Sequence, residues 1–215
     1  TPEEMTCTDY FTYAIFDEKG ASDTATVTVD FSEAPIMAIT DSVKTYPGIP
    51  VDVAPLLNDI GYFFADETVI EETYSLHGFW NRSGNEVTYT SDKDFIGHDS
   101  LMYTIISPCG VEQSAWIVFL VEELRVPEII TPNGDGSNDV LIIDGIEYFP
   151  DSWLQIYNRY GHIVYEKKRY DNSWGGYSNK GSLGGNKPLP SGTYYYALTY
   201  NEGRNKQAGF IYIFW

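Results

Sequence analysis

The feature that most constrains this chain is an internal repeat. Residues 9–29, "DYFTYAIFDEKGASDTATVTV", lie over residues 99–119, "DSLMYTIISPCGVEQSAWIVF", without a gap. Asp9 matches Asp99, Phe11 matches Leu101, Tyr13 matches Tyr103 and Ile15 matches Ile105. Further along, Gly20 matches Gly110, Ala25 matches Ala115, Val27 matches Ile117 and Val29 matches Phe119. A constant offset of 90 residues is the mark of tandem modules. The matched positions alternate with period two, so each segment reads as two strands joined by a turn at the shared glycine. The inward side chains are then Leu101, Tyr103 and Ile105 on one strand and Ala115, Ile117 and Phe119 on the next. A slip of one residue would turn all of them to water, so the pattern fixes the pairing register.

The offset also sets the domain organisation. Residues 1–30 read as the last hairpin of a module whose beginning lies upstream, and residues 31–123 as one complete module. About 90 residues suit a β-sandwich of seven or so short strands. Residues 124–215 remain as a third unit, in keeping with a length of 215 residues that suggests two modules or slightly more. Aromatic residues make up 16% of the chain, and such residues favour pleated, half-buried surfaces. A first residue of Thr with no charged-then-apolar leader reads as a fragment or processed product. No apolar run approaches the roughly 18 residues that a membrane helix needs.

Charge breaks at the same boundary. Residues 1–122 carry 4 Lys/Arg against 21 Asp/Glu, whereas residues 123–215 carry 9 against 10. So acidic a front part repels phosphates and excludes nucleic acid as a partner. It also favours solubility and attracts divalent cations. Cys7 and Cys109 stand alone, with no CxxC pair, and His77, His98 and His162 are scattered, which argues against a zinc site. The two cysteines fit one long-range disulfide or two free thiols. Carboxylate pairs such as Asp92 with Asp94, or Glu71 with Glu72, are candidates for acid–base chemistry in a cleft. No nucleophile elbow or phosphate-binding glycine loop accompanies them, and the expectation is a chain that is not an enzyme.

Two further stretches, "PIMAITDSVKTYPGIPVDVAPLLND" (35–59) and "NEVTYTSDKDFIGHDSLMYTI" (85–105), resemble the immunoglobulin-like and cadherin-like repeats of large bacterial surface proteins. The resemblance rests on Asp41-Ser42, Gly48-Ile49-Pro50-Val51, Asn58-Asp59, Tyr89-Thr90 and Phe95-Ile96-Gly97-His98-Asp99. It implies a spacer or adhesive module. Related repeats often carry an Asp-rich calcium turn after the Asn-Asp pair, but here Ile60-Gly61-Tyr62-Phe63 follows.

Beyond Leu124 the texture changes. Strand-like runs are Val140–Ile143, Trp153–Tyr157, His162–Tyr165, Tyr194–Tyr200 and Phe210–Phe214. Asn158-Arg159-Tyr160-Gly161 and Asn201-Glu202-Gly203 have hairpin-turn chemistry, with Asn and Gly supplying positive φ. Residues 171–192 hold six glycines and two prolines and read as a long loop. Alternation in "TYYYALTYN" (193–201) puts Tyr194, Tyr196 and Leu198 on one face and Tyr195, Ala197 and Thr199 on the other. Aromatics on both faces imply that a loop or a partner covers part of the outer one.

The string "TPNGDGSND", "IYNRYGHIVYE", "NSWGG", "LPSGTYYYALTY" and closing "GFIYIF" resembles the C-terminal domain of gliding-motility-associated proteins, the type B sorting signal of the type IX secretion system of Bacteroidetes. The whole chain thereby resembles the end of a SprB-type surface adhesin. The implied fold class is all-β: tandem Ig-like/cadherin-like β-sandwich modules followed by a small C-terminal β-sandwich. The implied fate is export across the outer membrane to the cell surface, with the type IX translocon and a PorP/SprF-like outer-membrane protein as partners. The residues on the motifs are Thr131, Pro132, Asn133, Gly134, Asp135, Gly136, Asn138 and Asp139, then Tyr157, Asn158, Arg159 and Gly161, then Trp174, and finally Pro190, Gly192, Thr193, Tyr194 and Tyr196. Tyr160 replaces the family's frequent Trp, and Gly175 the frequent Asp after Trp174.

Several readings stay open. Oxygen-bearing side chains at Asn133, Asp135, Ser137 and Asp139 have the alternate spacing of a calcium loop, with Asp144 where the closing acid would stand. The same residues can instead hold the turn by accepting backbone N–H bonds. Arg159 either sits in solvent, clamps Asp171 or Glu147, or stacks on a ring. Trp80, Trp116 and Trp174 could serve a carbohydrate-binding module as stacking platforms, and Trp116 falls on the outward side of its strand. A secreted enzyme with its catalytic domain upstream of Thr1 is the third functional class. The junction "VEELRVPEII" fits either a stiff or a flexible connection.

Overall fold

The computed structural model describes residues 8–30, 36–61, 67–71, 77–107, 110–180 and 187–215. Among the described residues, every regular element of three residues or more is a strand or a one-turn 3₁₀ helix. Cys7 and Cys109 lie outside the described residues.

The sequence repeat is also a repeat of register. Strands β1 (Thr8–Phe16) and β2 (Ser22–Asp30) form an antiparallel hairpin in which Tyr13 faces Ala25. Strands β8 (Gly97–Ile106) and β9 (Glu112–Val121) form another in which Tyr103 faces Ala115, the same pairing displaced by the same offset. The turns match as well. Asp17 N donates to Ala21 O and Ser107 N to Val111 O, and the side-chain oxygens of Asp17 and Ser107 accept Ala21 N and Val111 N. Gly20 and Gly110 adopt φ of +85° and +76°, which side chains with a Cβ rarely tolerate.

The surroundings of the two hairpins differ. Strand β9 is flanked in parallel by β3 (Asp41–Thr45), and β8 by the antiparallel β5 (Glu67–Glu71), giving the order β3-β9-β8-β5. A second sheet has the order β4-β7-β6, from β4 (Val51–Val53), β6 (Gly78–Ser83) and β7 (Glu86–Ser91). Leu101, Tyr103, Ile105, Ile117 and Phe119 are wholly buried with Val87 and Tyr89 in one cluster, and Tyr89 stacks on Phe119 at 4.0 Å between centroids. In the two-stranded β1–β2 sheet the corresponding Phe11, Tyr13 and Ile15 are exposed.

The C-terminal part is one five-stranded sheet of order β10-β16-β15-β11-β12. Its strands are β10 (Ile129–Ile130), β11 (Trp153–Tyr157), β12 (Ile163–Lys168), β15 (Gly192–Tyr200) and β16 (Asn205–Ile213), with β10 parallel to β16. The long loop is interrupted by a two-residue ribbon of β13 (Tyr177–Ser178) and β14 (Lys187–Pro188). Val140–Ile143, expected as a strand, joins no sheet. Its alternation survives, since Leu141 and Ile143 are buried and Ile142 is exposed. Its amides bond to the loop instead: Leu141 N to Trp174 O at 2.8 Å and Ile143 N to Asn172 Oδ1 at 2.8 Å. This extended layer and the loop around Trp174 cover one face of the sheet, where Leu154, Ile156, Leu198, Tyr200, Ile211 and Ile213 are wholly buried.

The connection between the two parts is packed. Leu124 and Val126 belong to the C-terminal core, and so does Tyr46, which follows β3 in the preceding body. The Tyr46 ring lies 6.4 Å from Phe149, edge-on, and its hydroxyl donates to Asp144 Oδ2 at 3.2 Å. Gly145, with φ of +83°, leaves room for it: a Cβ there would stand 2.3 Å from the ring. Asn201 Nδ2 donates to Lys93 O, and Lys93 Nζ pairs with Glu202 at 2.6 Å.

Candidate functional site

Strand direction divides the C-terminal sheet into two poles. Strands β11 and β16 start near the preceding body and run away from it, and β15 runs back. The 200–205 turn, with Asn201 and Glu202 both at positive φ, sits on the docked pole. The Asn158–His162 turn, the start of β15, the end of β16 and the loop after β10 all fall on the opposite, distal pole. The residues that carry the family motifs therefore converge there.

The loop 131–139 is held by its own backbone. Asp139 accepts Gly134 N at 2.6 Å on one carboxylate oxygen and Gly136 N at 2.8 Å on the other. Asp135 accepts Ser137 N at 2.8 Å and Asn133 Nδ2 at 2.9 Å, and Asn133 Oδ1 accepts Asp135 N. These bonds from N–H groups, led by Ser137, hold the Asp135 carboxyl below the usual range. Gly134, Gly136 and Asn138 take φ of +80°, +87° and +52°, and no neighbour crowds either glycine, so conformation alone selects Gly there. Thr131 closes the loop by donating its N–H to Asn138 O and its hydroxyl to Ser137 O. Asp144 is not part of this cradle; it lies at the docked pole against Tyr46.

The third motif packs beneath the first. Trp174 is buried, its Nε1 donates to Tyr177 O at 3.0 Å, and Tyr165 lies 5.6 Å away. The expectation of an exposed Trp174 as a stacking platform is overturned: the ring is a core filler, because Leu141 and Tyr170 fold the loop back over it. Gly175 fits where the family often has Asp because an added Cβ would stand 3.1 Å from Asp139 O. Gly176 lies under Pro132 and Trp215.

The second and fourth motifs form a pocket of about 330 Å³ between Asn158-Arg159-Tyr160 and Pro190–Tyr194. Asn158 caps its turn from the side chain, accepting Tyr160 N and His162 N at 3.0 Å. Only Gly161, at φ +77°, supplies the positive φ expected of both residues. Arg159 stacks over Tyr160 at 5.0 Å. The proposed clamp on Asp171 is replaced by Lys167, which holds that carboxylate at 2.6 Å. Tyr194 is buried and donates to Pro190 O at 3.0 Å, while Tyr196 leans on Gly209 and Thr193 is exposed. Trp215 locks the same corner, donating Nε1 to Leu189 O at 2.7 Å and standing edge-on to Tyr177 at 5.6 Å.

Beside this pole the outer sheet face is aromatic and open. Tyr195 and Phe210 are cross-strand partners, 51% and 48% exposed, and Tyr212, 41% exposed, pairs with Ile129 on β10. Tyr157 continues the row on β11 opposite Tyr195. Phe210 and Tyr212 belong to the closing stretch "GFIYIF", and their alternate spacing along it points to this face. Of the other tryptophans, Trp116 is 42% exposed on β9, whereas Trp80 packs against the core from β6, in the other sheet. Asp92 and Asp94 are exposed in a turn, and the side chains of Glu71 and Glu72 lie outside those described.

Residues 124–213 match the family described as the CHU_C type IX secretion signal domain. No curated protein matches the chain by sequence. Among solved structures, SGBP-B of the Bacteroides ovatus mixed-linkage glucan utilization locus, in complex with a mixed-linkage heptasaccharide, is 14% identical at a TM-score of 0.32, over 96% of this chain and 53% of that one. The chain thus spans about half the length of that protein. Protocadherin gamma C5 EC1-3 is 9% identical at a TM-score of 0.30, over 97% of this chain and 76% of that one. Dimeric latent PorU of Porphyromonas gingivalis is 13% identical at a TM-score of 0.26, over 95% and 24%.

Proposed function

We propose that residues 124–213, a domain of the type IX secretion signal family, act as a folded address that carries the protein across the outer membrane and holds it at the cell surface. The observation that supports this most is convergence: four dispersed motifs meet at the pole that faces away from the preceding body. A linear signal would need no such gathering. Contact with the translocon, and with a PorP/SprF-like outer-membrane protein, falls to this pole and the neighbouring Tyr195–Phe210–Tyr212 face. The role is recognition without catalysis. Residues 8–121 supply an acidic, non-enzymatic stalk, of the kind an adhesin uses in gliding or attachment.

The test joins a neutral reporter to residues 36–215 or 124–215 in a type IX-competent cell. Both are expected at the surface, the shorter one less stably because it lacks Tyr46. Replacing Tyr195, Phe210 and Tyr212 together by Ser is expected to leave melting nearly unchanged and to strand the reporter in the periplasm. A folded wild-type tail that stays in the periplasm would sink the address reading. Loss of glycan binding on Trp116→Ala would favour the carbohydrate reading instead, for which the exposure of Trp116 speaks.

A further inference from the structure

The distal loop carries the only Asn-Gly pair in the sequence, Asn133-Gly134, followed at once by Asp135-Gly136. Such pairs cyclise spontaneously, because glycine has no side chain to hinder attack by its own amide nitrogen. At Asn133, Gly134 N gives up its proton and bonds to the side-chain Cγ, the Cγ–Nδ2 bond breaks, and ammonia leaves. Water then opens the cyclic imide to aspartate or to isoaspartate, which carries an extra methylene in the backbone. At Asp135 the nucleophile is Gly136 N, and the carboxyl must first be protonated so that water can leave. Residues 133–136 are all exposed, so burial does not protect them.

We propose that Asn133-Gly134 and Asp135-Gly136 are covalent modification sites that Asp139 holds shut in the folded chain. Asp139 Oδ1 accepts Gly134 N at 2.6 Å and Oδ2 accepts Gly136 N at 2.8 Å, the two nitrogens that cyclisation needs. A carboxylate so close opposes loss of the amide proton, since a second negative charge would form beside the first. The groups under attack are tied as well. Asn133 Nδ2, the leaving nitrogen, donates to Asp135 Oδ2 at 2.9 Å, and Asn133 Oδ1 accepts Asp135 N at 2.9 Å. Ser137 N, and after it the Asn133 amide, hold the Asp135 carboxyl below its usual range and so in the unreactive ionised form. These bonds exist only while the turn is formed, so a chain left unfolded loses them and is marked irreversibly. The mark would fall on the first motif of the address, a reading on which the chemistry itself does not depend.

The full chain is incubated at neutral pH, folded or in urea, and peptide mapping by mass spectrometry with an isoaspartate assay reads residues 131–139. Folded wild type is expected to convert Asn133 at least roughly ten-fold more slowly than the same chain in urea, the factor that one charge-assisted hydrogen bond to the nucleophile is worth. Asp139→Asn, with its folding checked by melting, is expected to remove most of that difference. Asp135→Asn creates a second Asn-Gly pair whose glycine nitrogen faces the other Asp139 oxygen, and position 135 is expected to stay slow in that folded variant. This second variant keeps Asp139 and decides the matter where Asp139→Asn does not fold. Wild type converting as fast folded as in urea, a folded Asp139→Asn as slow as wild type, or position 135 of folded Asp135→Asn converting at its rate in urea overturns the proposal. None of these readouts involves export, so they stand apart from the test of the address.

Discussion

Consider Tyr46 and Gly145, the ring and the notch that join the two bodies. Tyr46→Ala removes a side chain that is 7% exposed in the core of the C-terminal part. Large aromatic truncations cost about 3–5 kcal/mol, and a site at a junction that can partly close belongs near 3 kcal/mol. Gly145→Ala carries two separate costs. The left-handed φ of +83° makes a Cβ unfavourable by roughly 1–2 kcal/mol. Its Cβ would also overlap the Tyr46 ring at 2.3 Å, so the ring must leave, forfeiting most of what Tyr46→Ala forfeits. The double variant has no ring to evict and is expected to cost about 4–5 kcal/mol, well short of the sum of the single changes. Urea unfolding followed by tryptophan fluorescence measures all four corners of this cycle. Calorimetry of Tyr46→Ala is expected to resolve two transitions where wild type shows one. Additivity within about 0.5 kcal/mol would refute the notch-and-ring coupling.

Other consequences can be measured alongside. Trp174→Ala is expected to lose about 3–5 kcal/mol of stability in denaturant unfolding, since a buried ring with a bonded Nε1 is removed. Asn158→Ala strands two turn amides and is expected to cost about 1 kcal/mol, with faster hydrogen exchange at Tyr160 and His162. Burial, and after it the charge of Asp59, raise the Asp41 carboxyl from 3.8 to about 6, so the folded chain holds that proton more tightly than the unfolded one. Its contribution is complete below about pH 4 and is lost as pH rises to about 6, so wild type is expected to fall relative to Asp41→Asn across that window. Disrupting the exposed Lys93–Glu202 pair by Glu202→Gln is expected to leave the thermal midpoint nearly unchanged.

The hairpins are legible in the sequence because strand alternation and turn chemistry are local. Period-two spacing fixed which of Leu101, Tyr103, Ile105, Ala115, Ile117 and Phe119 face inward, and the shared glycine fixed the register. The same local logic made the Asx network of residues 133–139 readable as one of two alternatives. It failed where a backbone bond partner lies far away in sequence. Val140–Ile143 has strand alternation but finds Trp174 and Asn172 rather than a ladder, and the parallel pairing of Ile129–Ile130 with β16 left no trace in either segment.

By itself, the sequence determined the all-β class, the repeat, the charge boundary and the motif string of the address. Each of these is written in spacing and composition, which need no knowledge of neighbours. Tertiary structure decided that the motifs gather on one pole, that Trp174 is core while Phe210 and Tyr212 are surface, and that Tyr46 crosses the junction. It also set two acids, 18 residues apart in sequence, with an unsatisfied oxygen each. Long-range packing chooses which residues become neighbours, and burial then gives the same side chain a different energy.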